Sequence, residues 1–240
     1  MIIPAYNEEA RIENTLRRVA EYLDGRGHTY HVTVVSDGST DATERIVQAF
    51  AEGHPCFDLL AYAPNRGKGH AVRHGMLHRE GDRMLFSDAD LATPIEELER
   101  LEAAIVGGAD IAIGSRPLRE SRLEVRQPFY REWLGRAFNR FVQLLGVPGI
   151  HDTQCGFKLF THEAAKDIFS RCTYDGFSFD IEALYVAKLL KYEIAEVPIV
   201  WRHQAGSKVN LLRDGMRMTW DLLRLRARGS ARYVVQPNER

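Results

Sequence analysis

At 240 residues, 45% apolar and 27% charged, the chain has the make-up of one soluble globular domain large enough to bury a sizeable core. A formal net charge of −1 gives no electrostatic footprint for a nucleic-acid partner. Cys56, Cys155 and Cys172 are an odd, widely spaced set without metal-ligand pairing, and no apolar run reaches the roughly 18 residues of a transmembrane helix.

The start MIIPAYNEE carries neither a basic region nor the apolar stretch of a signal peptide, so a reduced, cytoplasmic chain is expected. Met1–Ala5 reads as the tail of a buried strand, with the expectation that some residues precede it. A helix follows with Ile12, Leu16, Val19 and Leu23 at helical spacing. His31–Ser36 is a short β-branched strand, and Ser39, Thr40 and Asp41 offer caps for a helix carrying Ile46, Val47 and Phe50. Phe57–Tyr62 predicts a strand, Gly67–His78 a helix, Arg83–Ser87 a strand, Ile95–Val106 a helix and Ala109–Gly114 a strand. This order argues for an α/β fold, a mainly parallel sheet with right-handed crossovers whose ligands bind past the carboxyl ends of the strands. The second half is less regular, with helices expected at Tyr130–Leu145, Glu163–Phe169 and Asp180–Leu190 and a strand at Glu193–Trp201 with Pro198 at a sheet edge. A single domain over 1–228 and a flexible tail over 229–240 are expected.

Carboxylates concentrate at Asn7-Glu8, Asp37, Asp88 with Asp90, and Asp180 with Glu182. Asp88 and Asp90 alternate along an extended chain, so both face one spot and repel unless a cation lies between them. Magnesium takes one or two protein carboxylates and completes its shell with phosphate oxygens and water, which suits a metal-bound diphosphate. The bland alternative is a solvated turn at a strand end. Asn65-Arg66-Gly67-Lys68-Gly69 opens a helix whose backbone N–H groups, with Arg66 and Lys68, suit phosphate oxygens, although the Walker A spacing is absent. Asp152–Phe160 (DTQCGFKLF) mixes polar and apolar residues beyond what a surface loop needs, and puts Asp152 and Lys158 in play. Gly206-Ser207-Lys208 is a further phosphate-compatible turn. His151, His162 and His203 lack HxxxH-type spacing, which speaks against a zinc site.

PAYNEE, SDGSTD, NRGKGHAVRHGM, DADLAT, GSR, DTQCGFKLFTHEAA, FDIEALY and GSK occur in that order. Together they resemble the inverting family-2 glycosyltransferases of the GT-A fold, and within these the dolichyl-phosphate β-glucosyltransferases in particular. The likeness spans roughly residues 1 to 225, with DTQCGFKLFT its most specific element. It implies a metal-dependent transfer of glucose from UDP-glucose to a polyprenyl phosphate, with Mg²⁺ or Mn²⁺ as cofactor. Pro4, Tyr6, Glu8 and Asp37 would line the base and ribose pocket, with Lys68 on the donor side. Asp88 would help hold the nucleotide sugar and Asp90 would ligate the metal. Asp152, Lys158, Asp180 and Glu182 would border the sugar and acceptor, Arg116 and Arg131 would grip the acceptor phosphate, and Ser207 and Lys208 would contact substrate. Ser36 departs from the family by standing where many members have Asp, and Arg202-His203 departs before GSK.

A lipid phosphate is already an anion, whereas a hydroxyl acceptor would need a general base, for which Asp152 or Asp180 is the nominee. The last helix, about 209–228, aligns Arg213, Arg217, Arg224 and Arg228 beside an apolar arc of Leu212, Met216, Trp220, Leu222, Leu223 and Leu225. Such a helix either packs on the sheet or lies peripherally on the cytoplasmic face of a membrane. The rival readings are another nucleotide sugar such as GDP-mannose, a glycan hydroxyl acceptor, an aspartyl-phosphate phosphatase loop at DADLAT, and a nucleotide-sugar binder without catalysis.

Overall fold

The computed structural model describes residues 1–125, 139–140, 142–143, 146–204, 211–227 and 233, with side chains from 214 onward in the stretch that begins at 211. The expected helix at Tyr130–Leu145, and with it Arg131, lies almost wholly outside these residues, as do Ser207 and Lys208.

The first half follows the sequence pattern closely. Ile2–Ala5 (β1), Val32–Asp37 (β2), Phe57–Tyr62 (β3), Arg83–Ser87 (β4) and Ile111–Ser115 (β5) alternate with Ile12–Asp24 (α1), Thr43–Gly53 (α2), Lys68–His78 (α3) and Leu98–Val106 (α4), the last preceded by a single 3₁₀ turn at Ile95–Glu97. The predicted stripe Ile12, Leu16, Val19 and Leu23 is the buried face of α1. At the start of α2, Asp41 Oδ1 accepts the Thr43 N–H at 2.9 Å and Glu9 Oε2 accepts that of Ala42 at 2.9 Å, so the capping carboxylates come from two segments.

Seven strands form one sheet in the order β3-β2-β1-β4-β7-β5-β8, where Phe157–Thr161 is β7 and Ile194–Pro198 is β8. All neighbours are parallel except β7, which runs antiparallel to both β4 and β5. Alternate residues feed two cores. Ile2, Val35, Phe86 and Phe160 meet α3, His162–Arg171 (α5) and Phe179–Leu189 (α6), while Ile3, Val34, Leu85 and Leu159 meet α1, α2 and α4.

Besides Arg122–Val125, for which the sequence suggested no strand, two strands differ from the sequence reading. The run Glu193–Trp201 is not one strand: β8 ends at Pro198, on the sheet edge as expected, and Val200–Arg202 (β9) leaves to pair with Arg122–Val125 (β6). Ile199 is the hinge, its N–H donating to Ser121 Oγ at 3.2 Å and its carbonyl accepting from Arg122 at 3.0 Å. The second is β7 itself, hidden in sequence because Lys158 interrupts its apolar run.

The last helix, Leu211–Ala227 (α7), divides its apolar arc. Met218, Leu222 and Leu225 are buried, whereas Met216, Trp220 and Leu223 are 69%, 57% and 44% exposed. Tyr233, in the stretch expected to be a flexible tail, is fully buried and packs edge-on against Tyr185.

Candidate active site

Every parallel strand points its carboxyl end at the same rim, and antiparallel β7 begins there. Consequently Asp37 after β2, Asp88 and Asp90 after β4, Arg116 after β5, Asp152 and Lys158 at the entry to β7, and the first turns of α3 and α6 are gathered along one edge.

At the β1–β2 end the segments 7–9 and 39–43 are laced together. Asn7 N–H donates to Ser39 Oγ at 3.1 Å, Glu8 N–H to Thr43 Oγ1 at 2.7 Å and Glu9 N–H to Asp41 Oδ2 at 3.1 Å. Pro4 is buried within β1, Glu8 pairs with Arg11 Nε at 2.9 Å, and Tyr6 stands 38% exposed at the rim. Ser36, the departure from the family pattern, donates to Glu44 Oε1 at 2.7 Å.

Asp37 is almost wholly buried and its carboxylate is surrounded by donors from its own chain. Tyr62 hydroxyl (2.9 Å) and Arg66 N–H (2.7 Å) donate to Oδ1, and Asn65 Nδ2 (2.9 Å) and Gly67 N–H (2.8 Å) donate to Oδ2. The residue expected to line the base pocket therefore shapes the Asn65–Gly67 loop that leads into α3. Gly67 is required there: its φ is +114°, and a Cβ would fall 2.4 Å from the Asp175 carbonyl oxygen.

The centre of the site is a set of ion pairs. Lys68 Nζ meets Asp88 Oδ1 at 2.6 Å. Lys158, 1% exposed on β7, donates to the Cys155 carbonyl at 2.6 Å and to Asp180 Oδ1. Both ammonium groups lie within cation–π reach of Phe86, at 5.3 and 5.7 Å from its centroid. Arg116 grips the fully buried Asp152 with Nε at 2.6 Å, Nη2 at 2.8 Å and its backbone N–H at 3.0 Å, and stacks 5.5 Å over Trp201. Gly156 lets Asp88 in: a Cβ would lie 2.0 Å from Asp88 Oδ2.

These contacts set the charge states. Burial works to lower the Lys68 ammonium pKa, but the charges of Asp88 and Asp180 outweigh it and leave it raised. Burial raises the Asp180 carboxyl, and the nearby Lys158 and Lys68 only partly oppose this. Burial also works to raise Asp152, but Arg116 overcomes it and holds that carboxyl below its ordinary value. Asp90 differs. Its Oδ1 accepts the Ala92 N–H at 3.0 Å, it has no ion-pair partner among the described residues, and burial followed by the Asp88 charge raises its carboxyl. A desolvated carboxylate beside a second acid is a donor set that suits a divalent cation, so the residues present fit Mg²⁺ or Mn²⁺. Among the described residues no cluster of three or more His, Cys, Asp or Glu is arranged as a metal cage.

Glu182 is engaged differently from its neighbour Asp180. It lies in the first turn of α6 with Asp180, but its buried carboxylate accepts from Thr173 N–H (2.8 Å), Thr173 Oγ1 (2.9 Å), Tyr174 N–H (2.7 Å) and the Tyr233 hydroxyl (3.0 Å). Its carboxylate ties the 173–174 turn to Tyr233. HxxxH spacing occurs on α3 at His70, His74 and His78, where the first two rings stack at 5.8 Å between centroids and the last two meet tilted at 4.0 Å. Phe86, Gly156, Trp201 and Glu196 join the site only through the fold.

The glycosyl transferase family 2 profile matches residues 1–169. The chain belongs to glycosyltransferase family 2. A dolichyl-phosphate β-glucosyltransferase of Trichomonas vaginalis is 40% identical over 235 residues, covering 93% of this chain and 69% of that protein. The human dolichyl-phosphate β-glucosyltransferase is 36% identical over 241 residues, covering 95% and 74%. Among solved structures, glucosyl-3-phosphoglycerate synthase of Mycobacterium tuberculosis, crystallised with Mn²⁺, UDP-glucose and glycerol 3-phosphate, superposes with a TM-score of 0.66 at 20% identity, over 94% of this chain and 79% of that one. That likeness shows the GT-A fold. Within this family-2 glycosyltransferase, the rim residues described above are the candidate active site.

Proposed function

We propose that this glycosyltransferase moves glucose from UDP-glucose to a polyprenyl phosphate of dolichyl type, with inversion to a β-linked product. The relatives' names support the sugar and the acceptor class, and the neighbour crystallised with Mn²⁺ and UDP-glucose supports the donor and the metal. One observation of the site carries the choice of acceptor. Of the two carboxylates nominated as general base, Asp152 is held by Arg116 and Asp180 by Lys158. Both are engaged by a cation, which disfavours their taking a proton from a hydroxyl and supports an acceptor that arrives ionised, as a phosphate does.

Asp88 and Asp90 would hold the divalent cation, which when bound neutralises charge on the donor's diphosphate. Lys68, at the start of α3, is placed to meet the negative charge that develops on the leaving nucleotide. Phe86 lies within cation–π reach of both lysines and Phe179 of Lys68, an apolar flank that strengthens each charge interaction. Pro4, Tyr6, Glu8 and the loop shaped by Asp37 would form the nucleoside side. Arg116 would meet the acceptor phosphate, together with Arg131, Ser207 and Lys208.

No helix among the described residues is long and apolar enough to cross a membrane. The outward face of α7 supports a peripheral contact instead: Met216, Trp220 and Leu223 recur at helical spacing, and Arg224 stacks over Trp220 at 5.3 Å. Arginines around an exposed apolar stripe suit an anionic cytoplasmic leaflet.

A transfer assay tests the reading. Radiolabelled UDP-glucose, Mn²⁺ and a polyprenyl phosphate in detergent should give an acid-labile labelled lipid, and GDP-mannose in parallel should not. Label moving to a hydroxyl acceptor, with none in lipid, would overturn it.

A further inference from the structure

The geometry points to Glu196 as a positioning residue for the acceptor side of the site, acting through Asp152 on Arg116; it rests on the reading that Arg116 meets the acceptor phosphate. Glu196 lies on β8, the edge strand beyond β5, with β5 between it and the Lys158 strand β7. Its side chain is 12% exposed, and its carboxylate draws in four donors. Oε1 accepts from the Ser115 hydroxyl at 2.7 Å and the Asp152 N–H at 3.0 Å. Oε2 accepts from the His151 N–H at 2.8 Å and is 2.8 Å from His151 Nδ1.

Two of those donors lie next to the working pair. Ser115 immediately precedes Arg116, and Asp152 is the residue that holds the guanidinium. One carboxylate thus ties the Ser115 side chain at the end of β5 to the backbone of the 151–152 loop, the two segments from which the Arg116–Asp152 pair is built. The fork of a guanidinium recognises phosphate by direction as well as charge, so its orientation matters. A misplacement of about 1 Å in such a group costs up to about 10²-fold in rate. Glutamate is needed chemically as well as for shape. An amide in its place would turn its own N–H₂ toward donors, and a backbone N–H at Asp152 or His151 would lose its acceptor.

Steady-state kinetics of the full chain with UDP-glucose, Mn²⁺ and a short-chain polyprenyl phosphate in detergent tests this. Glu196→Gln should raise the acceptor KM by at least about tenfold while leaving the UDP-glucose KM within about twofold, because the donor-side lysines are untouched. Ser115→Ala removes one donor only, should shift the acceptor KM the same way by a few-fold, and carries the test should Glu196→Gln fail to fold. A lower kcat with an unchanged acceptor KM in both variants would mean that Glu196 merely supports the fold, and would overturn the proposal. Arg116→Ala separates the two levels. If it leaves the acceptor KM unchanged, the phosphate reading of Arg116 falls and the positioning role with it. If it raises that KM and the Glu196 and Ser115 variants do not, the positioning role alone falls.

Discussion

Asp180 and Glu182 stand two residues apart in the first turn of α6, both buried, and do opposite work. Two residues turn a helix by about 200°, so the side chains leave on opposite faces. Asp180 meets Lys158, near Lys68 and Asp88. Glu182 meets only neutral donors: two backbone N–H groups and two hydroxyls. The contrast separates a carboxylate embedded in a field of charges, where chemistry on a diphosphate can be supported, from one that closes hydrogen bonds to hold chain segments together. Asp37, ringed by donors from its own chain, belongs with Glu182; Asp90, without an ion pair among the described residues, is the extreme of the other kind.

The comparison sharpens most at Asp90. Asp90→Asn should lower turnover by at least about 10³-fold, the scale of losing a group that stabilises transition-state charge. Without metal the same variant should melt higher by about 2–4 °C, the shift that about 1 kcal/mol makes in a domain of this size, because an unpaired, desolvated charge is removed. Normal turnover at saturating Mn²⁺, or a lowered Tm, would break the assignment.

Lys158→Met leaves Asp180 buried and unpaired, a change expected to cost about 3–5 kcal/mol in denaturant unfolding along with activity. Glu182→Gln should be milder and of a different kind. It should lower stability by about 1–3 kcal/mol through unsatisfied donors, with kcat per folded molecule within about threefold of the parent. A Glu182→Gln protein that folds as well as the parent but turns over hundreds of times more slowly would return Glu182 to the active site.

The smallest effect is on pH dependence. Arg116 holds Asp152 below its ordinary value of 3.8, so that pair stabilises the fold fully above this pH and loses its contribution as pH falls through the lower folded pKa. Asp90, raised above 3.8, has the opposite sign: its ionisation weakens the metal-free fold, and protonation on acidification relieves that strain. Acid unfolding of Asp90→Asn should therefore begin from a higher plateau and fall along the same limb as Asp152 protonates. A limb unchanged in Asp152→Asn would show that the Arg116 pair does not govern it.

Much of this molecule was legible in its residue order. Apolar periodicity located β1 to β5 and the buried stripe of α1, and the parallel alternation put Asp37, Asp88 and Asp90 at strand ends. The motif order carried the family. What local pattern could not carry was β7, because a lysine inside an apolar run reads as a loop unless its partner is known. The partner is Asp180, 22 residues on and in another element. The same holds for the division of α7 into an inward and an outward apolar face, and for Glu182, whose acidic character resembles that of Asp180 in sequence. Periodicity is a property of neighbours along the chain, so the sequence by itself determined the elements and the chemical inventory. Charge pairing and desolvation depend on groups brought together from distant segments, so only the tertiary structure decided which carboxylates face the chemistry and which hold the fold.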